Sequence, residues 1–85
     1  LYAGLKAAEE LAQSGESQAE ALVERIRAVV AQEPLLSLEY VELRDAQTLE
    51  TLEILDRKAV LALAARAGRA RLIDNIVIAP TTSAG

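Results

Sequence analysis

The 85-residue sequence contains no cysteine and no histidine. The absence of cysteine excludes disulfide bonds and thiolate metal ligands. The absence of histidine removes the usual imidazole ligand and the side chain that titrates nearest to neutral pH. Acid–base chemistry would fall to Asp, Glu, Lys or Tyr, which in so short a chain are rarely buried deeply enough to be strongly perturbed. The sequence therefore predicts no catalytic residue and no metal site.

Large side chains and long apolar runs are also scarce. There are two Tyr and no Phe, Trp or Met, so an apolar fraction of 52% consists mainly of Ala and Leu. Such a composition predicts one small domain with a thin core and closely approaching elements. No apolar run reaches the roughly 18–20 residues of a membrane span, and no secretory signal is visible. We expect a cytoplasmic segment that binds neither membrane nor nucleic acid.

The net charge of −4 conceals two halves of opposite sign. Residues 1–56 carry four basic and twelve acidic side chains, a net charge of −8. Residues 57–85 carry five basic side chains against Asp74 alone, a net charge of +4. The basic half either pairs with the acidic helices or faces an anion such as a phosphate.

Two amphipathic helices are predicted first. Apolar residues recur at helical spacing from Leu1 to Ala12, and Gly15 is placed to end that helix. Ser17 and Glu20 have the spacing of a capping box for a second helix, which Pro34 would end. Because the first residue is Leu and no capping residue precedes it, we expect a segment of a longer protein whose first helix is cut.

The second half favours strands. Ser37–Asp45 mixes apolar and polar alternation with Tyr and Val, which favours a strand, and Asp45 can start a turn through its carboxylate. Residues 58–67 are alanine-rich and fit a helix by propensity, but they also fit a strand covered on both sides. The segment 71–78 has strong β character, so Gly68 and Arg69 could turn a hairpin. Residues 81–85 are predicted to be a tail or linker.

Two segments resemble the carboxy-terminal domain of the pantoate–β-alanine ligase family. They are "YVELRDAQTLE", from Tyr40, and "AVLALAARAGRARLIDNIVI", which contains "RLIDN" at Arg71–Asn75. The resemblance is specific over about residues 36–78, and it favours the strand interpretation of 58–67. It implies that residues 1–80 form an α+β domain of two layers, in which a helix pair packs on an antiparallel sheet of about three strands.

The resemblance also implies a function. Enzymes of this family activate pantoate with ATP and magnesium to a pantoyl adenylate, which β-alanine attacks to give pantothenate. Their amino-terminal Rossmann-like domain binds the substrates and carries an HxGH motif, and the full-length enzyme is expected to be a homodimer. The carboxy-terminal domain closes over the cleft as a lid. Because this chain lacks histidine, we expect no cofactor bound by it alone and no ligase activity.

The resemblance transfers no catalytic residue to this chain. Arg66, Arg69 and Arg71 are the candidates for a basic lid face near the phosphates. Asp74 and Asn75 could serve a ligand, or they could bond loop backbone and fix the register of the hairpin, which we favour. The alternative from another class is a free-standing protein-interaction module. A cytidylate kinase domain, to which some members of the family are fused, could follow Gly85.

Overall fold

The computed structural model describes residues 1–80, which form two helices followed by a three-stranded sheet. The elements are α1 (Tyr2–Gln13), α2 (Ala19–Val30), β1 (Leu36–Asp45), β2 (Ala59–Ala67) and β3 (Ala70–Ile78). The sheet order is β1-β2-β3 and both pairings are antiparallel. This is the predicted α+β arrangement, and the strand interpretation of 58–67 is confirmed. The predicted tail at 81–85 lies outside the described residues.

The end of α1 follows the prediction. Gly15 has a φ of 112°, in the left-handed region, and ends the helix two residues after Gln13. The backbone N–H of Glu16 donates to the carbonyl of Leu11, and that of Gly15 donates to the carbonyl of Ala12. These two bonds form a Schellman motif, which satisfies carbonyls that a helix end leaves without partners.

The predicted capping box of α2 is wrong. The N-cap residue is Gln18, and no side chain caps the helix. Ser17 and Ala19 instead pair through their backbones with the segment 53–55: Leu55 N–H donates to Ser17 O, and Ala19 N–H donates to Glu53 O. This pairing keeps the backbone extended immediately before α2. The tertiary contact therefore prevents the local capping box from forming. The helix also ends at Val30, four residues before Pro34, so proline is not its direct stop.

The core lies between the helix pair and one face of the sheet. Leu61 and Leu63 of β2 and Leu43 of β1 are at most 1% exposed, as are Leu5, Leu22 and Ile26 of the helices. The helices approach closely because α1 presents Gly4 to α2: a Cβ at Gly4 would lie 3.4 Å from Ile26 Cγ2. Small residues thus replace the missing aromatics, as the composition predicts.

Within residues 1–80, the opposite face of the sheet is not covered by any helix. Cross-strand partners share a face, so Val60 groups with Arg44 and Val77, and Ala62 groups with Glu42 and Asn75. Val60 and Ala62 are only partly buried. Within residues 1–80, β2 is therefore covered on one side only, and not on both sides as the sequence analysis expected, because both helices pack together on the same side. We call this uncovered side the open face.

Candidate functional site

A basic cluster lies on the open face beside the β2–β3 turn. Arg66 on β2 is the register partner of Arg71 on β3, so two guanidinium groups stand opposite each other. Like charges in directly opposed positions destabilise a sheet unless a counter-charge joins them. The site thus contains two of the three arginines that the sequence predicts, in direct cross-strand register.

Glu39 supplies the counter-charge for both arginines. Its Oε2 accepts a hydrogen bond from Arg66 Nε at 3.0 Å, and its Oε1 accepts one from Arg71 Nε at 2.7 Å. The hydrogen bond from Arg71, and after it that from Arg66, lowers the pKa of the Glu39 carboxyl, and Glu39 raises the pKa of Arg71. We call Glu39, Arg66 and Arg71 the arginine–glutamate bridge.

A register shift in β1 brings Glu39 to this position. Leu38 pairs with Ala65 and Tyr40 pairs with Ala64, which leaves Glu39 as an extra residue between them. Such a bulge sets two neighbouring residues of one strand opposite a single residue of the next, so Glu39 and Tyr40 both lie opposite Ala64 on the open face. The sequence analysis missed Glu39 as a site residue, although a signal was present. The apolar phase of the strand changes from Leu38 and Tyr40 to Val41 and Leu43.

Arg69 occupies the turn itself. Ala67 pairs with Ala70, so Gly68 and Arg69 are the two loop residues, and Gly68 has a φ of 62°. A positive φ at the first loop position alone is typical of a type II′ hairpin turn. Arg69 is exposed and makes no hydrogen bond or ion pair within residues 1–80. The third predicted arginine is therefore a free cation next to the arginine–glutamate bridge, not part of it.

Apolar side chains continue the open face away from the turn. Ile73 and Val77 of β3 are 60% and 53% exposed. Ile73 and Tyr40 flank Ala64 as its cross-strand partners, and Ala64 is fully buried between them. The pair of Glu42 and Arg44 lies on the β1 side of this apolar strip. The open face therefore combines a charged end with an apolar middle.

The aspartate of the "RLIDN" segment, Asp74, forms a hydrogen bond within its own strand. Asp74 Oδ1 accepts a hydrogen bond from the backbone N–H of Asn75 at 2.8 Å. Asp74 thus bonds backbone within its own strand, and not in a loop as the sequence analysis expected. Asn75 is exposed on the open face between Ile73 and Val77.

A second carboxylate, Asp45, has a structural role at the end of β1. Its Oδ1 accepts hydrogen bonds from the backbone N–H groups of Gln47 at 2.7 Å and Thr48 at 3.1 Å, which forms the turn that the sequence predicts. Arg57 Nη1 contacts the other oxygen at 3.4 Å. The hydrogen bonds from Thr48 and Gln47, with that from Arg57, lower the pKa of Asp45. One oxygen of this carboxylate is thus engaged by the turn and the other by Arg57.

Other parts of residues 1–80 offer little chemistry. Within that range no group of three or more acidic side chains could hold a metal ion, and no helix is long and apolar enough to cross a membrane. A broad surface concavity lies on the outer side of the helix pair, between Tyr2 and Arg25, and none of the hairpin arginines lines it. Its charges, such as Lys6 and Glu10, are of both signs. The arrangement can bind and cover an anion, but the described part offers no activated nucleophile or proton-transfer pair.

The fold and the site together define a small two-layer α+β domain with a cluster of arginines at one end of its open face. The sequence model of the family described as pantoate-beta-alanine ligase matches residues 1–77. The chain belongs to this family.

Relatives and solved structures agree with this assignment. The chain is 41% identical over 78 residues to the pantothenate synthetase of Thermosipho africanus. This match covers 92% of this chain and 28% of the relative. It is 44% identical over 78 residues to a bifunctional pantoate ligase/cytidylate kinase of Synechococcus elongatus, covering 15% of that protein. A crystal structure of pantothenate synthetase from Thermus thermophilus superposes with a TM-score of 0.84 at 29% identity, over 94% of this chain and 29% of that one.

Proposed function

We propose that this chain is the carboxy-terminal lid domain of an ATP-dependent ligase that joins pantoate and β-alanine through a pantoyl adenylate. The observation that carries the proposal is the combination of family membership with a site that has cations but no catalytic pair in residues 1–80. The chain spans about 28% of the length of the pantothenate synthetase of Thermosipho africanus. A lid needs only to cover and to complement charge, and these residues are suited to both.

A lid matters in this reaction because an acyl adenylate hydrolyses when water reaches it. Closing the cleft protects the intermediate and strengthens electrostatic contacts with the phosphates. In this proposal ATP, magnesium, pantoate and β-alanine bind on an amino-terminal Rossmann-like domain of the same protein. The basic hairpin contributes positive charge at the edge of that cleft. The whole enzyme is then a cytoplasmic homodimer.

The open face is the surface that we propose to meet the amino-terminal domain. The other face of the sheet is already occupied by the helices, which together carry four acidic and three basic side chains. The helices are thus nearly neutral, whereas the hairpin arginines would be attracted by a cleft that holds phosphates. Ile73 and Val77 supply exposed apolar area next to those arginines. The positive charge and the exposed apolar area thus both favour the open face as the surface that meets the amino-terminal domain.

The test is a domain exchange. Residues 1–78 of this chain replace the matched segment of the Thermosipho africanus pantothenate synthetase, to which they are 41% identical. We expect the exchanged enzyme to form pantothenate from pantoate, β-alanine and ATP. The same enzyme without the segment and the isolated 85-residue chain serve as controls, and both should be inactive. A folded but inactive exchange enzyme would contradict the proposal.

The alternative is a free-standing protein-interaction module, which the exposed apolar strip of the open face would also suit. Release of AMP by the isolated chain would contradict both interpretations, because neither assigns catalytic activity to this chain by itself. Restored pantothenate synthesis in the exchange enzyme is expected only for the lid. The experiment therefore separates the two functions.

A further inference from the structure

The arginine–glutamate bridge uses only part of the hydrogen-bonding capacity of its arginines. Arg66 and Arg71 each donate to Glu39 through Nε, and each takes a different carboxylate oxygen. The Nη atoms of both arginines make no hydrogen bond within residues 1–80. A guanidinium group has five N–H donors in a planar fork, and four of them belong to Nη atoms. Two donor forks therefore remain available side by side.

The charge of the hairpin is also incompletely balanced. Arg66, Arg69 and Arg71 carry three positive charges, and Glu39 is the only carboxylate bonded to any of them within residues 1–80. Asp74 extends from the other face, since its partner Leu63 lies in the core. Glu42 is paired with Arg44. A net charge of +2 remains at this end of the open face, where all three arginine side chains are exposed.

We propose that Arg66 and Arg71, with Arg69 from the turn, form a binding site for a phosphate-type oxyanion, and that Glu39 is the positioning residue of this site. Guanidinium forks match the geometry of phosphate oxygens, and Glu39 holds the two forks together against their mutual repulsion. This proposal adds an anion-binding site to the proposed function. It rests on that function only for the source of the anion, which would be a nucleotide or free pyrophosphate. Its existence can be measured on this chain alone.

The experiment titrates the 85-residue chain with sodium pyrophosphate, inorganic phosphate and magnesium-free ATP in separate arms, at constant ionic strength. Backbone amide resonances are followed by NMR. We expect saturable shifts concentrated at residues 66–71 and Glu39. Similar affinity for pyrophosphate and ATP assigns the site to the phosphate groups, and tighter ATP binding assigns it to a nucleotide. Absence of saturable binding in all arms would overturn the site.

Arginine-to-lysine variants keep the net charge, so they test whether the planar guanidinium group itself is required for binding. Arg66→Lys and Arg71→Lys keep the positive charge and can still pair with Glu39, but they remove the fork. We expect each to weaken pyrophosphate binding about fivefold, since hydrogen bonds to charged groups have substantial energies. Arg25→Lys on α2, an exposed arginine far from the hairpin, is the matched control and should bind as the parent chain does. Equal affinities in all three variants would overturn the site.

The Glu39→Gln variant tests whether Glu39 positions the two arginines, because the positioning role and the charge alone predict opposite changes in anion affinity. By charge alone, removal of a carboxylate should tighten anion binding. If Glu39 aligns the two guanidinium groups, its loss lets them separate and binding weakens, which is the result we expect. Unchanged or tighter binding would overturn the positioning role. Thermal melting of each variant verifies that the fold is intact, so failure of binding is distinguished from failure of folding and from inactivity of the exchange enzyme.

Discussion

The covered face and the open face of the sheet use the same three strands for different purposes. On the covered face, Leu43, Leu61 and Leu63 are at most 1% exposed beneath the helices. On the open face, Ile73 and Val77 remain more than half exposed, and charged groups form ion pairs at the hairpin end and on the β1 side of this apolar strip. Stability is therefore concentrated on one side, and the groups that we propose to bind lie on the other. Substitutions on the two sides should separate these properties.

The largest expected effect compares adjacent residues of β2. Leu61→Ala on the covered face should lower the free energy of unfolding by about 3 kcal/mol, because it leaves a cavity in a packed core. Val60→Ala, one residue away on the open face, should cost about 1 kcal/mol or less. Urea denaturation of both variants gives the comparison. Equal losses would show that the open face is as tightly packed as the core.

The next effect is a loss of stability in acid. The pKa values of Glu39, Asp45 and Asp56 are lowered in the folded chain by hydrogen bonds to arginines or backbone N–H groups. The unfolded chain therefore binds more protons, so their stabilisation is complete above the ordinary values of 4.5 for Glu and 3.8 for Asp. It is lost as pH falls through the lower folded values.

Melting temperature measured from about pH 6 to about pH 2.5 should show this decline. Asp45→Asn is the matched variant, because its amide oxygen can still accept the two turn hydrogen bonds while the titrating group is removed. Its melting temperature should fall less steeply with acid than that of the parent chain. An identical slope in both proteins would contradict the role assigned to Asp45.

The hairpin turn provides a smaller effect. Gly68→Ala should destabilise the fold by about 1 kcal/mol, because a side chain is strained at the positive φ of 62°. A clash with other parts of residues 1–80 does not explain this loss, since an added Cβ would meet nothing within 4 Å apart from its own chain neighbours. Thermal denaturation measures the change, and an unchanged melting temperature would be inconsistent with the turn described.

Gly4→Ala should act in the opposite direction. The φ of Gly4 is not positive, and an added Cβ would lie 3.4 Å from Ile26 Cγ2, in ordinary van der Waals contact. Alanine in place of glycine inside a helix is worth roughly 0.5–1 kcal/mol, so the variant should be more stable. A lower melting temperature would mean that the two helices cannot tolerate even a methyl group.

The smallest expected effect concerns the open face. Ile73→Thr keeps a β-branched residue in the strand and removes apolar surface that is already 60% exposed. The free energy of unfolding should change by about 0.5 kcal/mol or less. A loss comparable to that of Leu61→Ala, measured in the same urea series, would show that this face contributes to the core.

The sequence predicted those features whose causes are local. Gly15 ends α1, Asp45 starts its turn, and Gly68 allows the hairpin because each effect depends on one residue and its neighbours. The strand at 58–67 could not be separated from a helix by propensity, since alanine favours helix and only the resemblance decided otherwise. Ser17 failed as a cap because its backbone pairs with Leu55, which lies far along the chain beyond α2 and β1. No local pattern contains that contact.

The site was predictable only in part for the same reason. Arg66, Arg69 and Arg71 stood out by charge, and the hairpin brings Arg66 and Arg71 into register. Their partner Glu39 lies on a third segment and reaches them through a bulge. The change of apolar phase within β1 signals a bulge, but which residue is displaced depends on the pairing with β2.

The central claim is that the open face excludes water from a cleft on another domain. The most direct measurement is the ratio of AMP released to pantothenate formed by the exchange enzyme, with and without Ile73→Glu and Val77→Glu. We predict a ratio near one for the unmodified segment and an excess of AMP for the variant, because a charged face closes poorly and the acyl adenylate is lost to water. A ratio that stays near one at an unchanged rate would contradict the account.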